Sequence, residues 1–458
     1  MTTKLNDMVM NAPLLPQDNP ILQGNFAPVG EELDLHDLEV IGTLPPELNG
    51  TLLRDGPNPV NPQANHHWFI GDGMLHAIKF ENGAASGYRN RWVRTADIEE
   101  KLGLKAAPMS DTRPLVQGSG NVNVICHADR ILALPEIGLP YEMGLDLETR
   151  REYDFAGKLA GSMTAHPKID GNTGEMLFFG YDFAPPYLRY HRANTAGDLT
   201  QTVDVDLPEM VMMHDFGVTA TRVIFMDLPI VGNFGLFDEG YSMPFSWSDE
   251  HQARLGVMDR NANEDSVKWI DIDPCYVFHP LNSYDDGDNI VMDVVRYNKA
   301  FTSVQYPDYE KGSQLVRWTI DVNAGEVHSR VLSTIDQEFP RVSPRVECHP
   351  HRYGYALEVG GPHGFKGLLK HDLETGETIR HDVGDECAAG EPVFVPAGEA
   401  EDEGYILSVV YNSETALSEV RVIDARNFSA PPVAVVKLQA RVPFGFHGNF
   451  VAESRTTT

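Results

Sequence analysis

Four histidines constrain the fold of this chain more than any other feature. Each stands alone in a short apolar or glycine-rich frame that reads as strand: Thr164-Ala165-His166-Pro167, Met212-Met213-His214-Asp215, Tyr276-Val277-Phe278-His279-Pro280 and Pro443-Phe444-Gly445-Phe446-His447-Gly448. A lone imidazole in such a frame is ordinarily a hydrogen-bonded core residue. Four of them, one per segment and far apart in sequence, can meet only in a closed fold that brings many strands to one axis.

Length agrees with such a fold. At 458 residues the chain is too long for one small core and short for three ordinary domains. A propeller is among the few architectures that run this long as one unit, so residues 1–458 read as a single domain. The formal charge of −31 repels nucleic acid and anionic headgroups and excludes a nucleic-acid-binding role. Cys126, Cys275, Cys348 and Cys387 form no C-x-x-C pair and read as reduced thiols. The first residues lack a basic stretch followed by an apolar one, and no run approaches the ~18–20 apolar residues of a membrane span. The expectation is a soluble, cytoplasmic protein.

Residues 1–35 carry Pro13, Pro16, Pro20 and Pro28 and read as an irregular wrap around the outside. Residues 33–42 alternate loosely and read as one strand. Asn49-Gly50 reads as a tight turn, with Arg54-Asp55-Gly56-Pro57 ending that hairpin. Glu81-Asn82-Gly83 marks a second hairpin. Residues 96–104 have helical character, with acidic residues early. From Asn121 onward the rhythm is strand, turn, strand. Asp321 to Glu326 and Asp372 to Glu377 share the turn D-x-x-x-G-E. Helical periodicity is otherwise nearly absent. The reading is all-β with a small helical addition.

Four more stretches give the histidine set a family likeness. They are LNGTLLRDGPNP at 48–59, FIGDGMLH at 69–76, EFPR at 338–341 and EPVFV at 391–395. Together with the histidines, and in this order, they resemble the carotenoid cleavage oxygenase family. The resemblance implies a seven-bladed β-propeller with a small helical and loop cap. It implies a non-haem Fe²⁺ on the axis, held by His166, His214, His279 and His447. It implies that Glu136, Glu338 and Glu391 back His214, His279 and His447, while His166 lacks a carboxylate partner. The activity it implies is that of a dioxygenase. Such an enzyme cleaves a carbon–carbon double bond of a small apolar conjugated alkene with O₂, giving two carbonyl products.

The residue types suit that chemistry. Neutral imidazoles fit a borderline divalent transition metal, and four of them leave two positions open on an octahedral ion. A redox-inactive zinc site would usually close with four ligands, which points to iron. Each ligand imidazole needs an acceptor on its other nitrogen to fix tautomer and orientation.

Residues 228–247 break the β rhythm with an apolar, aromatic, Pro- and Gly-interrupted run. They read as a lid, with Phe234, Phe237, Tyr241, Phe245 and Trp247 lining a substrate tunnel. The apolar surface would also permit transient contact with a membrane surface. Substrates in the family divide between carotenoids or apocarotenoids and phenolic stilbenes or phenylpropenes such as isoeugenol. The lignostilbene-cleaving branch carries a lysine just before the first glutamate, and here that place is Pro135. A polyene is therefore expected. A phenol would need another anchor, such as Tyr141 or Lys101.

Two readings come from other classes. The acidity suggests a Ca-dependent propeller hydrolase, which would need carboxylate and amide ligands on the axis. A non-catalytic propeller binding protein partners is the other. Of the remaining candidates, Cys348-His349-Pro350-His351 would place two imidazoles on one face if extended. His66-His67 reads as surface or tunnel mouth. Asp285-Asp286-Gly287-Asp288 lacks the spacing and terminal Glu of an EF-hand and reads as a solvated turn.

Overall fold

Turn chemistry repeats along the chain and builds hairpins. In both D-x-x-x-G-E turns the aspartate Oδ1 accepts two backbone N–H groups, from Asn323 and Ala324 in one and from Glu374 and Thr375 in the other. Gly325 and Gly376 supply the left-handed residue, at φ 74° and 76°. Gln314–Asp321 is thereby joined to Glu326–Ser333, and Phe365–Asp372 to Glu377–Asp382. Asn82 and Gly83, at φ 52° and 74°, make the two-residue turn between Gly73–Glu81 and Ala84–Trp92.

In the computed structural model, which describes residues 19–112, 114–301 and 312–453, these hairpins extend into seven antiparallel sheets arranged as propeller blades. Part of the wrap expected over 1–35, residues 1–18, lies outside the described residues. Blade one contains Gly50–Pro57, Gly73–Glu81 and Ala84–Trp92. Blade two runs from Asn123–His127 to Thr149–Glu152, blade three from Lys168–Ile169 to Leu199–Val205, and blade four from Gly217–Val218 to Lys268–Asp271. Blade five runs from Tyr276–Asp286 to Glu326–Ser333, blade six from Gln337–Arg341 to Glu377–Asp382, and blade seven from Cys387–Ala389 to Ala434–Lys437. Strands such as Met176–Tyr181 are buried throughout, because each blade packs against a neighbour on both faces.

The ring closes by pairing the two ends of the chain. Gly448–Ala452 lies antiparallel to Gly50–Pro57, with Arg54 opposite Gly448 and Gly50 opposite Ala452. The backbones approach closely there. A Cβ on Gly56 would sit 2.4 Å from Gly445 Cα, and one on Gly50 would sit 2.3 Å from Val451 O. Gly50, expected to form a turn with Asn49, therefore serves strand contact instead. Arg54 to Pro57 continue the strand rather than end a hairpin.

A second interlock corrects the single strand expected over 33–42. Asp37 turns left-handed at φ 51° and divides it. Asp34–His36 joins the outer edge of blade one, and Val40–Gly42 joins the outer edge of blade seven. The expected helix is present as Ala96–Leu102. Thr95 Oγ1 accepts from Ile98 N at its start, and Gly103 at φ 70° ends it. The 228–247 segment is a small hairpin, Ile230–Gly232 with Phe245–Trp247, enclosing the one-turn helix Gly235–Asp238. No helix among the described residues is long and apolar enough to cross a membrane, and all four cysteines are free.

Candidate metal centre

Each blade sends one of the seven singled-out residues toward the axis. His447 precedes the strand that closes blade one, and Glu136 follows Arg130–Leu134 of blade two. His166 enters blade three, His214 enters blade four, and His279 lies within Tyr276–Asp286 of blade five. Glu338 lies on the first strand of blade six, and Glu391 stands between Cys387–Ala389 and Val393–Pro396 of blade seven. The β-bulge between Val277 and Pro280 turns His279 inward from its strand.

The four imidazoles converge. One ligand atom from each lies within 4.8 Å of the other three, and all four residues are buried. Three of them are oriented from behind. His214 Nδ1 is 3.0 Å from Glu136 Oε1, His279 Nδ1 is 2.6 Å from Glu338 Oε2, and His447 Nδ1 is 2.8 Å from Glu391 Oε1. With Nδ1 donating to a carboxylate, each Nε2 keeps its lone pair and points inward. His214 Nε2 and His279 Nε2 then face each other at 3.2 Å. His166 Nε2 is buried without a hydrogen-bond partner. Lone pairs converging in a dry site are costly unless a cation takes them, so the donor set fits a divalent metal.

Electrostatics acts unequally on the imidazoles. Burial, reinforced by the neighbouring imidazoles, pushes the His166 pKa well below its usual value. Burial likewise lowers His447 to about 4, against the pull of Glu391. Burial also acts to lower His214, but Glu136 outweighs it and raises that pKa. Glu391 is drawn down to about 2, because Arg341, His447 and the Gly448 N–H outweigh the cost of burial. Two tyrosines extend the network. Tyr181 donates to Glu136 Oε1 at 2.8 Å and Tyr297 to Glu338 Oε1 at 3.1 Å. No sequence signal marks either tyrosine.

A cavity of about 460 Å³ opens onto the cluster, with His214, His279 and His447 in its wall. Its other walls near the site are aromatic: Phe69, Phe278, Phe301, Phe339, Phe446. Three of these were readable in principle, since Phe278 and Phe446 directly precede ligand histidines and Phe339 follows Glu338. Of the five expected tunnel residues, Phe237 and Phe245 line the cavity. Phe234, Tyr241 and Trp247 do not. Phe234 is half-exposed against Phe183 and Phe237, and Trp247 lies beneath Lys299 and donates to Asp249. Pro135 lines the cavity, as does Lys101, which is bonded to Asp72 at 2.7 Å. Tyr141 is buried beside Glu152 and Gln117, outside that wall.

The other candidates serve the scaffold. His67 is buried in the cavity wall, and burial lowers its pKa to about 3. His349 and His351 do not share a face. With Pro350 between them, they are drawn to carboxylates on different blades, His349 to Asp170 of blade three and His351 to Asp293 of blade five. Asp285, within the strand Tyr276–Asp286 and just before its turn, accepts from Thr221. The axis presents imidazoles, not the carboxylate and amide ligands that a Ca-dependent hydrolase would need.

Known proteins agree with this geometry. The family model described as retinal pigment epithelial membrane protein matches residues 26–452. A carotenoid cleavage oxygenase of Mycobacterium tuberculosis is 35% identical, over 94% of this chain and 97% of its own. A carotenoid 9,10(9',10')-cleavage dioxygenase of Crocus sativus is also 35% identical, over 95% and 89%. Among solved structures, a lignostilbene dioxygenase of Pseudomonas brassicacearum superposes with TM-score 0.86 at 27% identity, over 97% of this chain and 100% of that one. A cobalt-substituted oxygenase of Synechocystis gives TM-score 0.83 at 26% identity, over 97% and 100%. The chain belongs to the carotenoid cleavage oxygenase family and is an oxygenase with a four-histidine metal site.

Proposed function

We propose that the chain holds one ferrous ion through His166, His214, His279 and His447 and uses O₂ to cleave a carbon–carbon double bond of an apocarotenoid or carotenoid. The observation that carries this reading is the four-imidazole cluster lying open to an aromatic-walled cavity. Iron(II), when bound, supplies the O₂ chemistry. The protein's own residues supply the rest. The glutamates fix the tautomer and aim of three imidazoles, so that only neutral nitrogens meet the metal. The phenylalanines around the cluster exclude water and hold a conjugated chain flat beside it. Each Å² of apolar surface buried there contributes about 25 cal/mol, so a polyene needs no polar anchor. The three glutamates are already engaged by imidazoles, and the reaction needs no proton donor from the wall.

The names of the relatives favour carotenoid substrates. A phenolic alkene is the second reading, supported by the lignostilbene dioxygenase likeness and by Lys101 in the cavity wall. Turnover of an apocarotenal and of a 4-hydroxystilbene should be compared on iron-loaded enzyme, with products identified by mass. The apocarotenal is expected to be cleaved faster. Cleavage of the stilbene alone would reverse the assignment.

Ile70 and Phe237 are both exposed and cavity-lining, so the apolar mouth faces outward. This supports transient contact with a membrane surface that supplies the polyene. Phe237→Asp should then weaken co-sedimentation with zwitterionic vesicles. Equal sedimentation of variant and parent would dispose of the idea.

A further inference from the structure

The fourth ligand is backed differently from the other three. His166 Nδ1 faces Asp215 Oδ2 at 3.8 Å, beyond hydrogen-bond reach. That carboxylate is already taken. Lys168 Nζ lies 2.8 Å from Asp215 Oδ1 and 2.9 Å from Oδ2, and Oδ1 also accepts from Phe216 N at 2.6 Å. Asp215 is buried, and Lys168 is mostly so. Sequence adjacency builds the arrangement. Lys168 stands two residues after His166 at the start of blade three, and Asp215 directly follows His214 at the start of blade four. The pair therefore ties together the two blades that bring these ligands in. Glu347 also neighbours Lys168, but burial raises its carboxyl pKa, which leaves Asp215 as the carboxylate the lysine engages.

Charge around the site is consistent with a purpose for this pair. Glu136, Glu338 and Glu391 bring three negative charges to the imidazoles. A dication and Arg341, which lies 3.1 Å from Glu391, would bring three positive ones. The Asp215–Lys168 pair adds none. A bare carboxylate at Asp215 would make the site anionic and would polarise His166 as strongly as its fellows.

We propose that Lys168 is a positioning residue that holds Asp215 back from His166, so that this one imidazole is backed by a neutral ion pair and binds the metal less tightly than the other three. The inference rests on the four histidines being the metal ligands. Removing the lysine frees Asp215 to close on His166 Nδ1, which makes the ligand more basic. Removing the carboxylate leaves a cation near the metal. The two changes therefore act in opposite directions, whereas a merely structural ion pair would loosen the site whichever half is lost.

Apoprotein loaded with Co²⁺ provides the test, read by its visible d–d absorption and by release of the ion to excess chelator. Wild type should take up about one Co²⁺ per chain. Failure to do so would overturn the metal site itself and this inference with it. Asp215→Asn should release Co²⁺ roughly 10-fold faster, and Lys168→Gln roughly 10-fold slower, the lower end of the range for altered outer partners. The d–d bands of the two variants should shift to opposite sides of wild type. The double variant should return near wild-type release, and Lys168→Arg should match it. Faster release from both single variants, or unchanged release from either, would overturn the proposal. If Lys168→Gln does not fold, Asp215→Asn and Lys168→Arg still decide it: slower or unchanged release from the first, or altered release from the second, rejects the role.

Discussion

Replacing His279 by alanine is expected to remove metal and turnover together while leaving the propeller folded. The imidazole contributes one Nε2 to the cluster and one hydrogen bond, 2.6 Å, to Glu338. It contributes nothing to the blade ladder, because the bulge at Val277 to Pro280 already places residue 279 outside the strand register. The lost bond is worth about 1–3 kcal/mol as a charge-assisted pair, and part returns because converging lone pairs are relieved. Seven blades share the remaining stability, so melting should shift by only a few degrees. Three imidazoles would remain, with Glu338 aimed at an empty corner. Metal analysis after desalting should fall from about one ion per chain to a small fraction, and product formation to background. His67→Ala is the control. It opens the same cavity wall but removes no ligand, so it should retain its metal. Full metal content in the His279 variant would show that the ion sits elsewhere.

The ligands and their glutamates could be read from sequence because each sits in a short motif that fixes its neighbours. The four histidine frames and the stretches around Glu338 and Glu391 belong to first strands or their entries, whose side chains point at the axis. What could not be read depends on partners distant in sequence. Gly50 looks like half of a turn, and only the strand Gly448–Ala452, near the other end of the chain, shows that it is a close-approach glycine. Residues 33–42 alternate like one strand, but one left-handed aspartate sends the halves to different blades. Residues 228–247 do reach the cavity wall, yet aromatic composition does not say which rings turn inward. Phe245 lines the cavity, whereas Trp247, two residues on, sits under Lys299. Phe69 and Phe301 reach the site from long connections, where no periodicity is available to aim a side chain.

Glu391→Ala and Glu136→Ala should both lose metal affinity by roughly 10–100-fold, the usual cost of an outer partner, but only the first should also unfold more easily. Glu136 serves His214 and Tyr181 and lies at the cavity wall, about a quarter exposed. Water entering from the cavity can satisfy what its removal leaves. Glu391 is fully buried and binds three groups: His447 Nδ1 and Gly448 N at 2.8 Å each, and Arg341 at 3.1 Å. Gly448 opens the strand that closes the ring, so this carboxylate joins the metal ligand to the seam of the propeller. Its loss strands a buried backbone N–H and takes from Arg341 its carboxylate partner. Breaking such a pair from one side costs about 3–5 kcal/mol. The cost here should fall toward about 2–3 kcal/mol, because Arg341 is a quarter exposed and keeps Asn449 and the Gly448 carbonyl as partners. Urea unfolding of the two metal-free variants isolates this difference. Glu391→Ala should unfold at clearly lower denaturant than wild type, and Glu136→Ala close to it. Equal midpoints would mean that the seam is held by the strand pairing alone and that Glu391 serves only the metal.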